Sequence, residues 1–370
     1  MSVLGLIFSN IHSKEVFEIT QKRTIASTPI GGRYRLIDFS LSCMVNAGIS
    51  NIGIITKSNY QSLMDHIGSG KEWDLARKRG GLVILPPYGV SDSVYNTRLE
   101  AIKSIISFIK HSTSEYVILS DCYHVCNIDY KDLLKYHHEK GADITCVYHE
   151  CLVCADDFMP INRLALNEEE RVIEMQVLST FSGTANVSMD IWVMKKELLE
   201  KLVDEAIVTN YRSFNRDILS KNLNNLRIFG YKFEGYFGNI SSIQTYYDVN
   251  KNLLKKEIRD ELFYQPGRSI YTKVRDSAPT KYGSQSKVVN SLIADGCMIE
   301  GEVYNSVIFR GTKIGKGAII KDSILMQDTI ISEGKHLEYV ITDKNVVIEN
   351  KKELIGNSEY PVYVKKGGIL

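Results

Sequence analysis

The chain has 370 residues, with 45 Lys and Arg against 44 Asp and Glu, for a formal net charge of +1. Charge so evenly matched gives no global field to gather nucleic acid or an anionic membrane, and no apolar run approaches the length that spans a bilayer. The length suits two domains with well-formed cores. Met1–Asn10 lacks the basic start, long apolar middle and small-residue cleavage site of an export signal. The seven cysteines are odd in number and irregularly placed, so reduced thiols in a cytoplasm are expected.

Val3–Phe8 reads as a short apolar strand opening a doubly wound sheet. Ser9-Asn10-Ile11-His12-Ser13-Lys14-Glu15 follows without a glycine where a phosphate loop would stand. In Pro29–Phe39 the pair Gly31-Gly32 permits positive φ and close approach of the backbone to a phosphate or base. Arg33 and Arg35 are spaced for one face of an extended segment. Asp38 opens a helical run over Phe39–Ala47 that Gly48 closes, and Ile52–Thr56 is the next parallel strand. By residue pattern alone this stretch is as readily an arginine-rich turn as a ligand loop.

The alternation continues with a helix at Gln61–Ile67, a strand at Leu82–Leu85 and one long amphipathic helix over Ser91–Lys110. A strand at Tyr116–Leu119, a helix at Lys131–His138 with His137 and His138 both solvated, and a strand from Ala142 complete it. Such alternation implies a mainly parallel, Rossmann-like sheet, with ligands beyond the carboxyl ends of its strands. Cys146, His149, Cys151 and Cys154 come near a zinc-ligand spacing. In a strand, however, Cys146 and His149 project from opposite faces, which favours buried thiols over a metal site.

Asp156–Arg171 reads as a polar loop or hairpin, Val187–Met194 as a strand, Lys196–Ala206 as a helix, and Tyr236–Leu254 as a turn followed by a helix. The domains are expected at residues 1–255 and 286–370, with residues 256–285 as a charged, proline-containing linker. From about Ser286 the period changes. Ile293 and Ile299, then Ile308, Ile314 and Ile320, then Ile324 and Ile330, recur in steps of six, with glycines between them. That repeat fits a β-helix solenoid in which each turn stacks an aliphatic residue on the turn below.

Several segments together resemble the glucose-1-phosphate adenylyltransferase (ADP-glucose pyrophosphorylase) family, in particular its GlgD-type subunits. They are Pro29–Phe39 with Asn46-Ala47-Gly48-Ile49, Gly89–Tyr95 with Tyr88 ahead of it, Ser188–Val193, Gly235–Leu254, Ile270-Tyr271-Thr272 and Asn290-Ser291-Leu292. The resemblance covers nearly the whole chain. It implies a nucleotidyltransferase domain followed by a left-handed β-helix, and it nominates Arg33, Arg35, Tyr88 and Ser188 as ligand-binding positions.

The same comparison exposes losses. The family's Gly-Gly-x-Gly-x-Arg loop falls on Asn10–Glu15, so that Glu15 reverses the charge of the arginine that neutralises departing pyrophosphate. The lysine of Lys-Pro-x-x-Pro has become Ile25, and the Glu-Lys pair that holds the sugar and its phosphate has become aliphatic within Met175–Ser179. Of the two aspartates that hold Mg²⁺, the distal one falls on Asn239 and the proximal one on Tyr123 or Cys122, with Asp121 a minor metal candidate nearby. No cofactor is expected on this chain itself, and Mg²⁺ belongs to a catalytic partner.

The resemblance therefore implies a regulatory subunit that joins a catalytic chain in a mixed tetramer. The alternatives are an active sugar nucleotidyltransferase with altered chemistry, or a module that senses a sugar phosphate or nucleotide.

Overall fold

The structure is a computed structural model and describes residues 1–11, 16–87, 95–153 and 161–370. A nine-stranded sheet forms the first part: β1 (Val3–Phe8), β2 (Asn51–Ile55), β3 (Gly81–Leu85), β4 (Tyr116–Asp121), β5 (Ile144–Val153), β6 (Ile161–Leu166), β7 (Val172–Leu178), β8 (Gly183–Lys195) and β9 (Ile228–Lys232). Its order is β7-β6-β8-β4-β1-β2-β3, with β5 joined to β8 and β9 to β5. The strands β4, β1, β2 and β3 are parallel, as near-continuous aliphatic runs require when helices cover both faces. The hairpin of β6 and β7 realises the polar stretch after residue 160.

Local sequence sets the helices. Leu36–Asn46 starts from a capping box in which the Asp38 side chain accepts from the Arg35 amide, and Gly48 follows its end at φ 79°. Three expectations change here. The helix expected over Ser91–Lys110 is two helices, Arg98–Ser104 and Ile106–His111, broken at Ile105 (φ −111°, ψ 13°). The β-branched pair Ile105-Ile106 stands at the break, and Ile105 is buried there. Residues 91–94 of that stretch lie outside the described residues.

His138 is solvated, but His137 is not. One helical turn from Leu133, it falls on the apolar face of Tyr130–Glu139, where its Nδ1 meets Thr145 Oγ1 at 2.7 Å and burial lowers its pKa to about 4. Cys146 is buried in the core while His149 Nδ1 pairs with the Phe233 carbonyl, and Cys154 lies outside the described residues.

From Lys281 onward three five-stranded parallel sheets wind into a three-sided solenoid. Ile299, Ile314, Ile331 and Ile348 stack in register, so successive coils advance by 15 or 17 residues. The interior differs from the six-step reading at one coil. Leu325 and Ile331 point inward, whereas Ile324 faces the first domain and Ile330 is 39 % exposed. The two-residue strand Ile324–Leu325 offers an aliphatic side chain to each face, and composition alone does not choose between them.

Residues 256–280 hold a helix, Lys256–Phe263, packed on the first domain through buried Leu262, and an extended run that lies against it. Asn127 ties that run down by donating to the Leu262 and Arg268 carbonyls. The main hydrophobic core spans both parts, joining Ile37, Phe39 and Tyr246 to Val307, Phe309, Ile324 and Ile341 of the solenoid. Ile320 sits fully buried between Val303 and Leu337 of adjacent coils. Ile320→Ala is expected to cost about 2–5 kcal/mol, measured by chemical denaturation; a loss well under 1 kcal/mol would contradict this stacking.

Candidate functional site

The nominated residues separate into two places. Asp121, Ser188 and Asn239 lie toward the carboxyl ends of the sheet, while Arg33 and Arg35 lie where the first domain meets the solenoid. Ile25 is buried in the main core within the turn Ile25–Ser27. Glu15 and Tyr88 fall outside the described residues.

At the strand ends, Asp121 is the last residue of β4. The ladder between β8 and β5 is interrupted between Ser188 and Trp192, and there Asp190 adopts φ 53°. A left-handed conformation costs a non-glycine residue roughly 1–2 kcal/mol, and the surroundings show what holds it. Arg98, at the first position of its helix, donates to both Asp121 and Asp190 and stacks 5.5 Å from the Trp192 ring. The Tyr123 hydroxyl donates to Asp190 at 2.9 Å and Asn162 Nδ2 at 3.1 Å, while the Asp190 amide donates to Ser188 Oγ at 3.2 Å. Side chains of Arg98, Asp121 and Asp190 are 11 %, 1 % and 3 % exposed. Arg98 is held above its ordinary pKa by these two carboxylates, against the opposing effect of burial, and so remains charged.

Nearby, the short antiparallel pair His124–Val125 and Gly238–Asn239 sets Asn239 opposite His124. Mg²⁺ asks for hard oxygen ligands, carboxylates foremost. The positions that the resemblance assigns to those carboxylates are Tyr123 or Cys122, a hydroxyl bonded to Asp190 or a buried thiol, and Asn239, a neutral amide. The carboxylates that are present, Asp121 and Asp190, are already engaged by a guanidinium. The residues therefore do not fit a bound Mg²⁺.

The domain junction has the opposite character. Arg33, Arg35, Lys273, Arg275 and Arg310 line one cleft, with His66 at its wall. Gly31 (φ 58°) and Gly32 (φ 84°) turn the chain here against Leu253 and the Ile308 carbonyl, so the glycine pair serves the domain contact. Arg35 donates to the Ser62 carbonyl and hydroxyl, and burial first of all lowers its pKa to about 10. His66 Nε2 meets Asp38 Oδ1 at 2.6 Å in the core, and burial outweighs that carboxylate in lowering its pKa.

Behind the cleft, buried Arg23 pairs with Asp343 at 2.6 Å, and Tyr363 also donates to Asp343. Burial, then Arg35 and Arg23, bring the Lys344 ammonium down to about 7. These cations, countered by Asp343 on Arg23 and by Asp295 on Arg310, are suited to an anionic group such as a phosphate.

Lys273, Arg275, Arg310 and Lys344 come from the connector and from solenoid turns, where no periodic signal marks them. Arg98 and Asp190 left faint traces: a cation at a helix N-terminus runs against the dipole, and an aspartate stands at position 190, where the family segment that Ser188–Val193 resembles, Ser-Met-Gly-Ile-Tyr-Val, has glycine.

Comparison with known proteins agrees with this architecture. Residues 12–152 match the nucleotidyl transferase model and residues 277–360 the GlmU-like C-terminal hexapeptide model. The protein is thus a nucleotidyltransferase-fold chain carrying a left-handed β-helix of hexapeptide repeats.

It is 35 % identical over 366 residues to the glycogen biosynthesis protein GlgD of Bacillus subtilis (strain 168), covering 99 % of this chain and 96 % of that one. Glucose-1-phosphate adenylyltransferases of Bacillus mycoides (strain KBAB4) and Clostridium perfringens (strain SM101 / Type A) are 32 % and 33 % identical. They cover 90 % and 89 % of this chain and 89 % and 85 % of their own lengths. The chain belongs to the glucose-1-phosphate adenylyltransferase family, and within it to the GlgD type.

The sign of the Lys344 shift makes it testable. Its folded pKa lies below the unfolded value of 10.5, so the penalty for burying the ammonium is complete below about pH 7. The penalty is relieved as pH rises toward 10.5. Lys344→Met should raise Tm clearly at pH 6 and barely near pH 10. Equal shifts at the two pH values would refute this environment for Lys344.

Proposed function

We propose that this chain is a regulatory, non-catalytic subunit of glucose-1-phosphate adenylyltransferase. It assembles with a catalytic chain in a mixed tetramer in the cytoplasm and tunes the conversion of ATP and glucose 1-phosphate to ADP-glucose and diphosphate for glycogen synthesis. The observation that carries the reading is the closure of the strand-end site by its own charges, with Arg98 on Asp121 and Asp190 and Tyr123 spent on Asp190. An active transferase needs a carboxylate pair able to take Mg²⁺, and the pair present here is committed elsewhere. Mg²⁺ then acts in the partner.

A second reading is compatible with the first and rests on the cation-lined cleft of Arg33, Arg35, Lys273, Arg275 and Arg310. There the chain senses a sugar phosphate or nucleotide and passes the signal through the domain junction. Sensing of this kind couples two sites by about 1–3 kcal/mol, or roughly 5- to 150-fold in affinity.

The test is ADP-glucose synthesis by a catalytic chain with and without an equimolar amount of this one. The chain alone should turn over negligibly, and the mixture should co-elute and show higher turnover or tighter substrate binding. Turnover by this chain alone in the ordinary range of about 1–10³ per second, or a mixture with unchanged kinetics and no co-elution, would sink the reading. For the second reading, sugar phosphates should raise Tm, and the double change Arg33→Ala, Arg275→Ala should abolish the rise.

A further inference from the structure

Two buried carboxylates from different strands converge on one guanidinium at the end of the sheet. Asp121 closes β4, and Asp190 is turned inward at the interruption of β8. Arg98 approaches both from the start of its helix, with Nε 2.9 Å from Asp121 Oδ2. The donors Tyr123, Asn162 and Asn215 surround Asp190, Asn215 Nδ2 at 3.5 Å from Oδ1. The Asn215 side-chain oxygen is buried beside this cluster and has no hydrogen-bond partner. The amide turns its nitrogen toward Asp190, and reversing it would turn an oxygen, a cation ligand by type, toward the carboxylate pair.

We infer that Arg98 is a built-in counter-cation that takes the place of a divalent metal ion between Asp121 and Asp190, and that withdrawing it turns the pair into a cation site completed by Asn215. The inference deepens the non-catalytic reading of this site by naming what keeps metal out. Two carboxylates brought together without a cation repel each other and lose hydration, so one of them must take up a proton or the pair must take up a cation. In the native chain the fold supplies that cation covalently. A hard divalent ion is the soluble substitute that suits two carboxylates and an amide oxygen.

Mn²⁺ titration of the full-length chain, followed by electron paramagnetic resonance, tests this without measuring turnover. The native protein should show no Mn²⁺ site dependent on Asp121 or Asp190. Arg98→Met keeps the side-chain bulk over Trp192 and removes the charge, and it should bind one Mn²⁺ at least tenfold more tightly than the native chain. Adding Asp190→Asn should erase the gain, and Arg98→Lys should behave as native because it keeps a cation there.

If Arg98→Met does not fold, Arg98→Gln, which keeps donors without the charge, should show the same gain. Folded variants with native Mn²⁺ affinity would overturn the inference. So would a gain that survives Asp190→Asn, or a native Mn²⁺ site lost on Asp121→Asn. Only the last of those results would also touch the non-catalytic reading, and none of them bears on co-elution with a catalytic chain or on its kinetics.

Discussion

The solenoid sheet nearest the first domain is buried on both of its faces, and the rest of the structure follows from that constraint. Its strands are two or three residues long, and neighbouring side chains point in opposite directions. Val307, Ile324 and Ile341 enter the core shared with the first domain, while Ile308, Leu325 and Val340 enter the solenoid. Two aliphatic surfaces on one thin sheet weld the domains by burial from water. Polar groups trapped at such a seam must be satisfied within the protein. Arg23 with Asp343, Lys251 with Asp322, and the Tyr246 and Tyr247 hydroxyls on the Pro29 and Asp322 carbonyls satisfy many of them, while Arg23 Nη1 is left without a partner. The cationic cleft opens at the rim of the seam, where its lining comes from both domains.

The two charged regions answer different electrostatic problems. At the strand ends two carboxylates face one guanidinium, and hydroxyl and amide donors make up the remainder. At the junction cations crowd together, and burial first of all, with neighbouring arginines second at Lys344, holds the values of Arg35 and Lys344 down. A network of the first kind is held by donors of its own chain, with the Asn215 oxygen left over. One of the second kind is relieved by an incoming anion, which would raise the pKa of Lys344 as it bound. Breaking a buried pair from one side is expensive, commonly about 3–5 kcal/mol. Arg98 and its two aspartates are therefore expected to stand or fall as a set.

The parts of the fold legible in the sequence were those written in aliphatic periodicity. Val3–Phe8, Gln61–Ile67 and the coils through Ile299, Ile308 and Ile314 fall where pattern places them. Where two adjacent residues are equally aliphatic, as at Ile324-Leu325 and Ile330-Ile331, pattern cannot assign the faces, because the choice is made by what packs on each side. His137 was misread for a related reason: its polarity outweighed its helical position beneath Thr145.

Site residues were less legible. Tyr123 and Asn239 declare a loss by their chemistry, but the gain that accompanies it lies in Arg98 and Asp190, which are distant in sequence. Only the fold shows that they meet. The resemblance nominated Arg33 and Arg35 as ligand-binding positions, and the turn at Gly31-Gly32 delivers them to the domain junction.

The closure of the strand-end site also bears on how the chain reaches its working shape. In a catalyst that binds metal through carboxylates from separate segments, the ion helps to hold those segments together. Here Arg98 does so without any ligand, drawing β4, β8 and the helix it begins onto one guanidinium, while Tyr123 ties its turn to Asp190. Asp190 can keep its left-handed backbone because the surrounding donors over-determine its position. The ends of β4 and β8 are then held together in the absence of substrate. For a subunit whose contribution is its surface, it is an advantage, because a partner meets a shape already formed.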